Sequence, residues 1–125
     1  MKNVIYSPHA PAPIGPYSQG IQAGNTFYFS GQIAIDPATG NVVEGGIEAE
    51  TRQVMRNIEA LLTAAGLTFA NIVKTGIFLR DMNDFAVVNT IYGEHFTSEF
   101  PARETVQVAR LPKDVAVEIS VIAVA

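Results

Sequence analysis

Hydrophobic and polar positions change rhythm several times along the chain, and each change marks an element. Between residues 47 and 65, apolar side chains recur at Ile47, Val54, Met55, Ile58, Leu61, Leu62 and Ala65. This spacing places them on one face of a helix. Glu48 and Glu50 suit the positive N-terminal end of that helix, and Gly66 suits the position just past its C-terminus. A second helical rhythm covers residues 84–98, with Asn83 as its cap and Phe85, Val88, Ile91, Tyr92 and Phe96 inward. Gly93 weakens that helix locally.

The remaining runs read as strands and turns. Residues 3–7 suit a short strand. Residues 18–23 and 26–30 flank Gly24-Asn25, a hairpin signal, and Phe27, Tyr28 and Phe29 favour a strand. Gly31 ends or bends that run, and residues 36–41 form a turn-rich loop. Residues 72–79 predict a buried strand, 104–109 another, 111–114 a turn and 115–125 a final strand. Residues 8–16 hold four of the seven prolines. Fixed φ angles and missing N–H groups make this segment a rigid extended loop packed on the domain, not a hinge.

Strands, helix, strand, helix, strands: this order predicts an α+β fold, with a mixed sheet carrying two helices on one face. Two helices do not cover both faces of such a sheet, so the other face calls for another subunit. A length of 125 residues predicts a single domain over 1–125. Composition fits, because 48% apolar against 16% charged is greasy for a small domain and suggests surface hidden against copies of itself. Net charge is −4 and no lysine–arginine cluster occurs, which argues against a nucleic-acid partner. Cysteine is absent, so disulfides, thiol nucleophiles and thiolate metal sites are excluded. Residues 1–7 lack the apolar core of a signal peptide, and the apolar C-terminal stretch is broken by Glu118 and too short to span a bilayer. These features predict a soluble, cytoplasmic protein with no membrane partner.

Chemistry is expected in three stretches. In the final strand, alternation puts Val115, Val117, Ile119, Val121 and Ala123 on the face that meets the helices. Ala116, Glu118, Ser120, Ile122 and Val124 share the other. A carboxylate in such company is either a lone charge at a wet edge or a group beside a cavity, in want of a cation, a donor or a proton. Arg103 and Thr105 point the same way from one strand. The guanidinium is either a planar fork for a carboxylate or half of a salt bridge to Glu104 or Glu99. Residues 15–19 and 30–32 supply Tyr17, Ser30 and Gly31: an aromatic wall, a hydroxyl, and a backbone that a ligand can approach closely. His9 and His95 lack spaced partners, no phosphate-binding glycine loop occurs, and neither metal nor cofactor is expected.

The motifs resemble those of the RidA/YjgF family, the reactive intermediate deaminases, nearly end to end. They are Ala12-Pro13-Ile14-Gly15-Pro16-Tyr17-Ser18-Gln19, Phe29-Ser30-Gly31-Gln32-Ile33, Pro101-Ala102-Arg103, and Val108-Ala109-Arg110-Leu111-Pro112-Lys113-Asp114 followed by Val117-Glu118-Ile119. The resemblance implies a chorismate-mutase-like two-layer fold. It implies a homotrimer with sheets facing inward, helices outside and clefts between subunits. It implies hydrolysis of reactive 2-imino acids, such as 2-iminobutanoate and 2-iminopropanoate, to 2-oxo acids and ammonia. Arg103 matches the arginine that grips the substrate carboxylate, Glu118 the carboxylate that positions or activates water, and Tyr17, Ser30, Gly31 and Asn89 line the cleft. Thr105 stands where many active members carry cysteine, and it is expected to contact substrate. The rival reading is a regulatory trimer that binds small carboxylates without turning them over.

Overall fold

The computed structural model describes residues 1–125. Its strands are β1 (Lys2–Ile5), β2 (Gly20–Ala23), β3 (Thr26–Gln32), β4 (Ile72–Leu79), β5 (Ala102–Gln107) and β6 (Val117–Val124). Its helices are α1 (Gly46–Ala64) and α2 (Phe85–Gly93). The strands form one sheet in the order β1-β2-β3-β6-β4-β5. Neighbours are antiparallel except β4 and β5, which run parallel and are joined through α2.

The two faces of the sheet differ as the alternation in β6 predicts. Val117, Ile119, Val121 and Ala123 are buried in one core with Val54, Met55, Ile58, Leu61 and Leu62 of α1 and Val88, Ile91 and Tyr92 of α2. Glu118, Ser120 and Ile122 are half-buried on the opposite, helix-free face. Tyr28, Val106 and Val124 are exposed apolar side chains, and all three fall on that second face by strand alternation. No helix is long and apolar enough to cross a membrane.

α2 is shorter than its apolar rhythm predicts, ending at Gly93 instead of near residue 98. Beyond it the chain tightens into successive i→i−3 bonds from Glu94, His95 and Phe96. Phe96 still packs inward, 4.8 Å from the Tyr92 ring centroid. Its apolar position therefore marks an aromatic cluster rather than more helix. The cap also differs. The Asp81 carboxylate accepts from the Asn83 N–H and starts a 3₁₀ turn, and Asn83 itself caps nothing. Phe85 is exposed, not inward.

Two polar residues on the buried side of α1, Glu50 and Asn57, tie the helix to the ends of strands, and a third, Gln53, braces Asn57. Glu50 Oε1 accepts from the Ala116 N–H (2.9 Å), just before β6. Gln53 Nε2 donates to Asn57 Oδ1 (2.9 Å). Asn57 Nδ2 donates to the carbonyls of Ile33 (3.1 Å) and Ile35 (3.0 Å), just after β3. Removing a partner from buried polar groups costs more than the bond itself contributes. Asn57→Ala removes the side-chain donor from both carbonyls, of which Ile33 keeps the Ile35 N–H, and leaves the buried Gln53 amide without its acceptor, so we expect a loss of about 2–3 kcal/mol in urea unfolding, at unchanged m-value.

Candidate active site

The site begins with an irregularity in β3. Phe29 pairs with Val121 and Gln32 with Ile119, so Ser30 and Gly31 together face one residue, Ser120. Such a bulge bends its strand and re-aims side chains. It also leaves a gap. A Cβ built on Gly31 would fall on the Glu118 carboxylate, so the carboxylate occupies space that only glycine leaves open. Burial pushes the Glu118 carboxyl above the usual glutamate range, and no neighbouring charge or donor pulls it back. Around it lies a cavity of about 380 Å³, lined by Tyr17, Ser30, Gly31, Glu118, Lys113 and Ile33 among others.

The proline-rich segment forms one wall of this cavity and is held by a buried amide. Gln19 Nε2 donates to the carbonyls of Ser7 (3.1 Å), Ala10 (3.3 Å) and Pro11 (2.9 Å), while its Oε1 accepts from the Ser7 N–H (2.7 Å). Prolines cannot donate to a ladder, so one glutamine supplies the donors that order the loop. Ser30 Oγ donates to the Ser18 carbonyl (2.6 Å), and the Tyr17 hydroxyl accepts from the Ile14 N–H (3.3 Å).

Arg103 stands elsewhere. Its partner across the parallel pair is Thr75, which is fully buried beneath α2, so the guanidinium lies on the helix side of the sheet. Arg103 Nη1 donates to Asn89 Oδ1 (2.8 Å), and the guanidinium carbon lies 5.7 Å from the Phe85 ring centroid and 5.2 Å from that of Tyr92. Each such contact contributes roughly 0.5–2 kcal/mol and holds the fork in place. Tyr92 is fixed in turn by donating to Thr75 Oγ1 (2.9 Å). The alternative salt bridges do not form, since Glu104 pairs with Lys74 at 3.2 Å and Arg103 with neither Glu99 nor Glu104. A hollow of about 540 Å³ opens here, lined by Asn89, Tyr92, Gly93, Phe100, Pro101 and Arg103. Thr105 follows on the same face of β5, its Oγ1 buried without a hydrogen-bond partner.

The family described as Endoribonuclease L-PSP matches residues 7–125. The chain belongs to it; this is the RidA/YjgF family. A RutC family protein of Pyrococcus horikoshii is 54% identical over 123 residues, covering 98% of each chain. A 2-iminobutanoate/2-iminopropanoate deaminase of Bos taurus is 48% identical over 124 residues, 99% of this chain and 90% of the relative. The crystal structure of a Rid family protein of unknown function from Yersinia pestis superposes with a TM-score of 0.97 at 51% identity, covering 100% of both chains.

The seven site residues that the RidA/YjgF resemblance points to thus fall into two groups within one chain. Tyr17, Ser30, Gly31 and Glu118 line one cavity. Asn89 and Arg103 line the other, with Thr105 beside Arg103 on β5. Glu118 pairs with Phe78, whose side chain points away from the helices, so the two charged groups occupy opposite faces of the sheet. Sequence reasoning overlooked three supports: Gln19 as the clamp of the proline loop, Phe85 and Tyr92 as the seat of Arg103, and Lys113 at the Glu118 cavity. Gln19 and Lys113 stand in the quoted motifs with no role attached to either. His95 packs tilted against Phe69, with ring centroids 4.6 Å apart, and burial lowers its pKa below the ordinary histidine value.

Proposed function

We propose that the chain is a cytoplasmic imine deaminase, converting 2-imino acids such as 2-iminobutanoate and 2-iminopropanoate with water into 2-oxo acids and ammonia. The observation that carries this reading is the Glu118 carboxylate, half-buried without a partner, seated over Gly31 at the wall of a small cavity. The cattle relative's name supports the same substrates.

Hydrolysis needs three things: a fixed substrate, a proton acceptor for water as it attacks C2, and a proton donor for the departing nitrogen. Arg103 grips the substrate carboxylate through the N–H groups that Asn89 leaves free. Glu118 takes the water proton and returns one to nitrogen, a role favoured by its raised pKa. Imines hydrolyse in water unaided, so positioning plus one proton carrier, worth roughly 10²–10⁴-fold, is enough.

The two groups of residues belong, in this reading, to two copies of the chain. A homotrimer with sheets inward brings the Arg103 hollow of one copy against the Glu118 cavity of the next. Support comes from the exposed apolar residues Tyr28, Val106 and Val124 on the helix-free face, and from a Thr105 hydroxyl that finds no partner within its own chain. The resulting cleft binds small 2-imino and 2-oxo acids and involves neither nucleic acid nor membrane.

A pyridoxal-phosphate dehydratase acting on threonine supplies the imine, and semicarbazide traps it in competition. Added chain is expected to restore 2-oxobutanoate. Unchanged yield at high protein concentration removes the deaminase reading, and carboxylate binding without restoration favours the regulatory binder. Arg103→Lys keeps the charge but loses the planar fork and its ring contacts, so we expect kcat/KM to fall about 10–100-fold, mainly through KM.

A further inference from the structure

The Glu118 cavity holds a cation that the proposed reaction does not use. Of the eight lysines and arginines, six have a polar partner: Arg52 with Glu94, Arg56 with Gln53, Lys74 with Glu104, Arg80 with the Asp114 carbonyl, Arg103 with Asn89 and Arg110 with Asp114. Lys2, near the N-terminal end of the chain, and Lys113 have none. Lys113 lines the cavity together with Glu118, and the two form no ion pair.

The turn that carries Lys113 is strained. Lys113 and Asp114 are consecutive non-glycine residues in the left-handed region, at φ 56° and 55°. That conformation is unfavourable for residues bearing a Cβ and persists only where surrounding structure over-determines it. Here Pro112 fixes its own φ just before Lys113, and both ends of Asp114 are gripped. Arg110 Nε and Nη2 donate to its two carboxylate oxygens (2.7 and 3.1 Å), and Arg80 Nη1 donates to its carbonyl. Two arginines thus hold a strained turn whose lysine borders the cavity.

We propose that Lys113 reads a second, distal carboxylate, so that the cavity favours 2-imino and 2-oxo acids derived from dicarboxylic amino acids. The inference rests on the deaminase reading for its site, with Arg103 of a neighbouring copy on the α-carboxylate and Glu118 on water. A distal carboxylate then meets the one cation of the cavity that no protein group neutralises. An ammonium suits this task, because it is a mobile point charge that follows chains of different length.

Calorimetry of 2-oxoglutarate and 2-oxobutanoate binding to the full chain tests this without turnover. We expect the diacid to bind about tenfold more tightly in low salt, with the advantage shrinking as salt is added. Lys113→Met is expected to abolish that advantage, and Lys113→Arg to keep most of it. Absence of a diacid preference in the wild type, or the same preference in Lys113→Met, overturns the proposal. Failure of the deaminase reading would be seen separately, as unaccelerated hydrolysis of 2-iminobutanoate.

Discussion

Glu118→Gln is expected to lower kcat for imine hydrolysis by roughly 10²–10⁴-fold, the range that one positioned proton carrier supplies. Glutamine matches the shape of glutamate and neither takes nor returns a proton. The wild-type pH profile should reveal the same group. Water attack needs the carboxylate, so the rate falls as pH drops through the Glu118 pKa, and this acidic limb lies above the usual glutamate range because burial raises that pKa. Stability runs the opposite way. A carboxyl that titrates higher in the folded than in the unfolded chain stabilises the fold below its unfolded pKa, and that contribution disappears as pH rises through the folded value. Once ionised, the wild-type carboxylate is a poorly solvated charge. Glu118→Gln should melt at the same temperature or higher while losing activity, a pairing typical of functional sites. Wild-type turnover by this variant in the semicarbazide competition would leave the carboxylate without a role.

Gly31→Ala is expected to cost about 10²-fold in kcat/KM while the fold survives. The φ of Gly31 is open to any residue, so the effect comes from space alone. The new methyl group would meet the tip of Glu118, a flexible side chain that swings aside. Overpacking of this kind costs about 1–3 kcal/mol in stability. A displacement of about 1 Å at a reacting group is enough for a 10²-fold loss of rate. Thermal unfolding together with steady-state kinetics separates the two effects. Undiminished kcat/KM would show that the seat of Glu118 over Gly31 is not needed.

The sheet was legible wherever one side chain in two is buried. In β6 the alternation alone separates Ile119 from Glu118 and assigns them to different faces. The Gly24-Asn25 hairpin and α1 were legible for the same reason, since turn chemistry and periodicity are local. The parallel register that sets Arg103 opposite Thr75 was not legible, because it depends on how the chain crosses over through α2. That register is what separates Arg103 from Glu118 within one chain. Phe85 misled because an aromatic ring at helical spacing normally marks a core, and here it faces Arg103. Gln19, Glu50 and Asn57 are polar residues whose burial is made tolerable by distant backbone partners, which no local pattern encodes. The bulge at Ser30-Gly31, on which the seat of Glu118 depends, is likewise a property of two strands aligned together.

Strand order also governs how the chain comes together. β6 follows all other strands in sequence yet lies between β3 and β4 in space, so Phe27 must find Ala123 and Leu79 must find Val117. The amino-terminal hairpin and the β4–α2–β5 unit share no edge before β6 arrives. Pairings over such sequence distances make folding slow, and during synthesis the edges of β3 and β4 stand open until residues 117–124 have left the ribosome. A nascent chain arrested at Val115 should remain protease-sensitive throughout, whereas release of the next ten residues should close the whole sheet in one cooperative step.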